Sequence, residues 1–243
     1  MTTATLPPPA ELSAERKAAI TAEMDYREDE AERDIVRIMP WAAERAWEII
    51  RDVCGGNGNK HWAWKLIELG YLLHLYQPLR ICELGMGTTT AVFAAYVTSC
   101  HKRGVQCVDE NLDYAAKVLE IVNGYRNWQL WLRTPSVVTS GDMRWYDLSD
   151  HERGEYGRDF LYVDGPDLGP AGDRRRYGAD AALFAEMRAP KLIVFDQRYS
   201  SAVAFAESEA GKRYAIEWGS HIKQMPSECL RTMRYHTVCH RID

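Results

Sequence analysis

Between residues 79 and 196 short apolar runs, each closing on an acid or glycine, alternate with stretches of helical spacing. The runs are "LRICEL" (79–84), "GVQCVD" (104–109), "SVVTSGD" (136–142), "DFLYVDG" (159–165) and "KLIVFD" (191–196). Helices are expected over 88–101, 112–124 and 178–188. Strands this short and this uniformly apolar leave no face for water, and helices between them impose parallel crossovers. The expected fold is therefore α/β: a Rossmann-like, doubly wound, mostly parallel sheet with helices on both faces. Two late runs, "YAIEW" (214–218) and "RYHTVCHRI" (234–242), would bring it to seven strands.

In open α/β sheets, ligands bind beyond the carboxyl ends of the strands. In this chain those ends carry Glu83, Asp109, Asp142, Asp164 and Asp196. A row of carboxylates repels phosphate and suits hydroxyls, amines or positive charge. The first strand leads into "GMGTTT", which lacks the third glycine of the dinucleotide fingerprint, Thr90 standing there, and lacks the Lys-Ser/Thr of a P-loop. Asp109 closes the next strand, where an acid grips a ribose diol. Gly85 and Gly87 let backbone approach a ligand, and Thr88 to Thr90 suit the start of the next helix.

Upstream of the sheet, residues 1–11, with "LPPPA", read as a flexible leader and residues 12–58 as a helical extension. Pro40 fits the first turn of a second helix, whose stripe is Ala43, Trp47, Ile50 and Cys54. The loop "GGNGN" ends the extension, and residues 59–243 form the main domain. A third helix, roughly His61 to Tyr76, is apolar around most of its circumference and is expected to be buried. The start lacks a basic region before an apolar core, so no secretory signal is expected. The apolar runs are too short or too interrupted to span a bilayer. Net charge is −5 and the pI near 5.8, which argues against a nucleic-acid surface. The 6 cysteines form no CxxC pair; they read as buried hydrophobes in a cytoplasmic protein.

The stretches "CELGMGTTT", "VQCVDEN", "SGDM" and "FLYVDGP" together resemble class I S-adenosylmethionine-dependent methyltransferases. The segment "VDGP…RRRYGADAALF…APKLIVFDQR" is similar to a small-molecule subgroup of that family. The likeness covers about residues 60 to 243. It departs from the subgroup at Asp196-Gln197, which often has two acids, and at Ala189-Pro190, in place of a glycine-rich turn. The resemblance implies that Glu83 holds the methionine amino group, directly or through water. It implies that Gly85, Met86, Gly87 and Thr88 line the methionine moiety and that Asp109 takes both ribose hydroxyls, with Glu110 beside it. Asp142 would accept from the adenine amino group, Met143 would pack on the ring, and Asp164 would border both cofactor and acceptor.

Methyl transfer from a sulfonium is an in-line displacement, so alignment and exclusion of water are the main tasks. Asp164 and Asp196 could orient the acceptor or deprotonate it. With Gln197 they also resemble the Asp…Asp-Asn metal site of catechol-type O-methyltransferases, which would hold Mg²⁺. His221 is a further candidate base. Arg198 and Tyr199 are candidate contacts for an acidic or phenolic substrate, and Arg174 to Arg176 read as a solvated helix start. His236 and His240 share a strand face that Cys239 does not, so the three do not converge on a metal. Trp41, Trp47, Trp62 and Trp64 would pack within the helices, with a lid or a homodimer surface as the alternatives. The reading is a small-molecule methyltransferase with an oxygen acceptor. Its rivals are an aminopropyl-transferase-like enzyme of the same fold and a non-catalytic cofactor-binding or assembly module.

Overall fold

The computed structural model describes residues 13–56, 60–99, 102–123, 129–156, 158–168, 176–219 and 235–242. Ser13 caps α1 (Ala14–Ile38), accepting from the Arg16 N–H at 3.2 Å. Pro40 then opens α2 (Pro40–Glu48), which runs on as a π-helical turn, Ile49–Val53. After α3 (Trp62–Tyr76) come β1 (Arg80–Leu84), α4 (Thr88–Thr98), β2 (Gly104–Val108), α5 (Leu112–Val122) and β3 (Leu130–Arg133). The chain continues through β4 (Val137–Ser140), β5 (Met143–Tyr146), α6 (Asp150–Glu155), β6 (Phe160–Val163) and β7 (Tyr177–Gly178). It closes with α7 (Asp180–Arg188), β8 (Leu192–Phe195), α8 (Tyr199–Glu207), β9 (Tyr214–Glu217) and β10 (Thr237–Arg241).

The main sheet has seven strands in the order β3-β2-β1-β6-β8-β10-β9. Pairing is parallel from β3 to β8, and β10 runs antiparallel to both β8 and β9. The expected doubly wound sheet is present, with one strand placed differently. Residues 136–142 do not form a strand of the main sheet. Gly141 takes φ +60° and Ser140 pairs with Met143, so Gly141-Asp142 is the two-residue turn of a β4–β5 hairpin. That hairpin and β7 make a separate three-stranded sheet, and "LWLR" supplies the outer strand β3 instead.

Strand alternation divides the core into two layers. On one face Ile81, Phe160, Tyr162, Leu192, Val194 and Val238 pack with the helices α1 to α5. On the other, Cys82, Leu84, Leu161, Val163, Ile193 and Phe195 pack under α7 and α8. The helices of the expected extension belong to the first layer. Ile20, Met24, Ile35 and Ile49 are buried in the same cluster as Phe93 and Phe160, so no packing gap separates residues 13–56 from the sheet. No helix among the described residues is long and apolar enough to cross a membrane.

Candidate active site

Strand order reverses between β1 and β6, with β2 and β3 wound to one side of β1 and β8 to the other side of β6. At this point the β1–α4 turn meets the end of β6. Gly85 has φ +85°, and a Cβ there would come within 2.7 Å of the Asp164 carbonyl carbon and the Gly165 nitrogen. Its freedom thus serves the approach of two backbones. Gly165 is equally confined, since a Cβ would fall 2.1 Å from the Tyr146 hydroxyl. Gly87 is different: its backbone is extended, and the nearest atom to a Cβ is the Tyr114 hydroxyl at 3.6 Å.

The acids at the switch point are tied to this turn. Asp109 Oδ2 accepts from the Met86 N–H at 2.9 Å and Oδ1 from the Asn111 N–H at 2.8 Å. Burial raises its pKa, against the pull of those two donors. Glu110 accepts from the Tyr146 hydroxyl at 2.6 Å and the Asp167 N–H at 2.8 Å. Glu83 is fully buried and accepts from the hydroxyls of Thr89 at 2.7 Å and Thr90 at 3.0 Å. Burial pushes its carboxyl up to about 8, against those hydroxyls, the Cys107 thiol and Lys65. Glu83 therefore anchors the first turn of α4 from below. Any contact of Glu83 with a ligand would run through that turn.

A second polar group lies along the ends of β6, β8 and β10, on the face covered by α3. Lys65, buried in the first turn of α3, gives its ammonium to Asp196 and lies 3.6 Å from Asp164. One turn later, Glu68 accepts from both the backbone N–H and Nδ1 of His236, at 2.9 and 3.0 Å. Nε2 of the same ring is 3.2 Å from the Tyr162 hydroxyl. Arg198 approaches Asp164 at 3.4 Å and donates to the Pro166 carbonyl at 2.6 Å. Burial would lower the Lys65 pKa, but Asp196 and Asp164 overcome it and hold the ammonium up to about 12. Burial would raise Asp196, yet Lys65 and His236 keep it well below the usual carboxylate range. Burial and then the Asp196 charge push Asp164 up to about 7, against Lys65 and Arg198. The Asp164 side chain keeps 32% of its surface open, so solvent softens that shift relative to a sealed group.

Lys65 was not among the expected site residues. It sits in a helix that reads as apolar around most of its circumference, yet Lys65 and Glu68 are three positions apart and so share a face. Charges in an otherwise buried stripe need partners, and that was the available signal. Lys65 also changes the metal reading. The Asp164–Asp196 pair is already bridged by a cation, Gln197 is exposed with φ +46°, and no group of three His, Cys, Asp or Glu among the described residues could hold a metal ion. These residues do not fit Mg²⁺.

Asp142 is exposed in the hairpin turn, where its carbonyl accepts from the Tyr177 N–H at 3.0 Å. Met143 opens β5, about 10 Å along the strand from Tyr146, the β5 residue that reaches Glu110. Neither lies at the carboxyl end of a main-sheet strand. Thr88 is half-buried at the first position of α4. His221, Arg174 and Arg175 fall outside the described residues. His240 accompanies Tyr76 at 3.2 Å on β10, apart from the His236 network. Trp64 is buried against Tyr235 with ring centroids 5.6 Å apart, and Trp47 is exposed beside Trp62 at 5.7 Å.

No protein-family model and no curated protein sequence matches the chain. Among solved structures it is similar to a methyltransferase from Geobacter sulfurreducens, at 12% identity over 83% of this chain and 89% of that one, with a TM-score of 0.49. It is also similar to the SAH-bound Podospora anserina methyltransferase, at 12% identity over 98% and 100% of the two chains, again with a TM-score of 0.49. At such values the chemistry rests on the chain's own residues.

Proposed function

We propose that the chain is a class I S-adenosylmethionine-dependent methyltransferase that acts on a small molecule, with oxygen as the acceptor atom. The observation that carries the reading is the Gly85–Met86–Gly87 turn at the strand-order reversal, pinned by its Met86 N–H to the Asp109 carboxylate. A ligand at a switch point lies against that turn, and its neighbours Asp109 and Glu110 are acids. Such a site disfavours a diphosphate and favours a diol and an ammonium. The antiparallel β10 also departs from the six-stranded order of dinucleotide-binding sheets. The fully buried Glu83 would support the ligand through the threonine turn, while Asp109 and Glu110 would receive its hydroxyls.

When bound, the cofactor supplies an electrophilic methyl group on a positively charged sulfur. The chain's own work is then to place the acceptor in line and to exclude water. Asp164 is the residue suited to take the acceptor's hydroxyl proton on its carboxylate. Its pKa of about 7 lets it stay partly ionised at neutral pH while remaining basic enough to accept a proton. Arg198 fixes its orientation through Oδ1 and the Pro166 carbonyl, and Asp196, locked by Lys65, holds a constant negative charge beside it. Mass spectrometry of small molecules released from the purified chain tests the reading. S-adenosylmethionine or S-adenosylhomocysteine is the expected species, and a phosphorylated dinucleotide in its place would refute the assignment.

A further inference from the structure

We propose that the Lys65 ammonium is the resident cation of the Asp164–Asp196 pair, held on a tether where a divalent metal ion would otherwise sit, so that this end of the crevice works without metal. The inference is about charge and holds whatever group the chain transfers. Two carboxylates converge from the ends of adjacent parallel strands, β6 and β8. Lys65 bonds one and faces the other at 3.6 Å, and Arg198 reaches the far oxygen of Asp164 at 3.4 Å. The two cations thus at least balance the two carboxylates, and an added divalent ion would leave the cluster positive and stand next to an ammonium. Lys65 and Asp196 are both buried, at 6% and 7% exposure, which makes an unpaired charge there costly and the pairing persistent.

The tether is rigid at both ends. Glu28 of α1 accepts from the N–H groups of Ala63 and Trp64, at 2.8 and 2.9 Å, fixing the turn that carries Lys65. Glu68, one turn on, is held by His236. With that turn fixed, moving the ammonium aside to admit an ion would break its bond to Asp196 inside a buried site. Removing it should leave two carboxylates with the oxygen chemistry that Mg²⁺ and Mn²⁺ accept, the remaining ligands being water.

Thermal unfolding of the full chain in MgCl₂, MnCl₂ or EDTA tests this, using wild type, Lys65→Ala and Lys65→Ala combined with Asp196→Asn. Wild type should melt at one temperature in all three. Lys65→Ala should melt lower in EDTA and regain about 5–10 °C when the ion exceeds its dissociation constant about a hundredfold. The double variant should show no such gain. If Lys65→Ala does not fold, Lys65→Met, which keeps the stem's volume, is compared in the same way. A wild-type gain with Mg²⁺ that Asp196→Asn abolishes would overturn the proposal. So would Lys65 variants that no divalent ion stabilises. No cofactor enters the measurement, so its failure would leave the methyltransferase reading standing.

Discussion

Asp180 illustrates how far one residue's environment can move its chemistry. It is fully buried at the start of α7, where Oδ1 accepts from the Tyr146 N–H at 3.1 Å. Oδ2 has no hydrogen-bond partner among the described residues. Burial pushes the carboxyl up to about 7, against that N–H and Arg153. A folded-state pKa above the unfolded value means that the folded chain holds the proton longer. The contribution to stability is fully present below about pH 4, declines as the unfolded chain ionises, and is gone above about pH 7. Asp180→Asn cannot titrate, so its stability relative to wild type should rise by roughly 2–4 kcal/mol between pH 4 and pH 8. Urea unfolding of both proteins across that range checks it. Equal slopes with pH would mean that Asp180 is ionised in the fold.

At the scale of elements, α3 depends on a side chain from another helix. Glu28 in α1 replaces the usual local cap for α3, whose N-cap residue His61 makes no side-chain cap bond. Glu28→Ala would leave two N–H groups without their acceptor in a buried turn, and should cost about 2–4 kcal/mol in urea unfolding. A loss below about 0.5 kcal/mol would mean that water takes over the cap. Little of this was visible in the sequence, because the cap joins residues far apart in the chain. The main strands were legible: "RICEL", "FLYV" and "LIVF" are buried nearly throughout, and continuous apolar runs of that length have few alternatives. The hairpin was misread although its signal was present. "VVTS" and "MRWY" are separated by Gly-Asp, a two-residue turn pair, but the acid at its end looked like the terminus of a parallel strand. β3 escaped because "LWLR" alternates between half-buried and exposed positions at the sheet edge and has no β-branched residue. The strand-end positions of Asp109 and Asp164, acids of the candidate site, were legible from the apolar runs that precede them. Lys65 was not, since its partners come from across the fold.

At the scale of the whole molecule, a doubly wound sheet that includes one antiparallel strand and is roofed by its N-terminal helices is proposed to hold S-adenosylmethionine at the Gly85–Gly87 turn. The roof is part of the fold: α1 and the π-helical turn after α2 place Ile20, Met24, Ile35 and Ile49 in the layer that also carries Lys65 to the sheet. Isothermal titration of the full chain with S-adenosylhomocysteine tests the claim most directly. Micromolar binding is expected for the wild type. Asp109→Ala, which frees the Met86 N–H and removes the carboxylate proposed to receive the ribose hydroxyls, should weaken it by about 1–3 kcal/mol while the chain stays folded. Absence of heat with either S-adenosylmethionine or S-adenosylhomocysteine, together with an unchanged melting temperature, would contradict it.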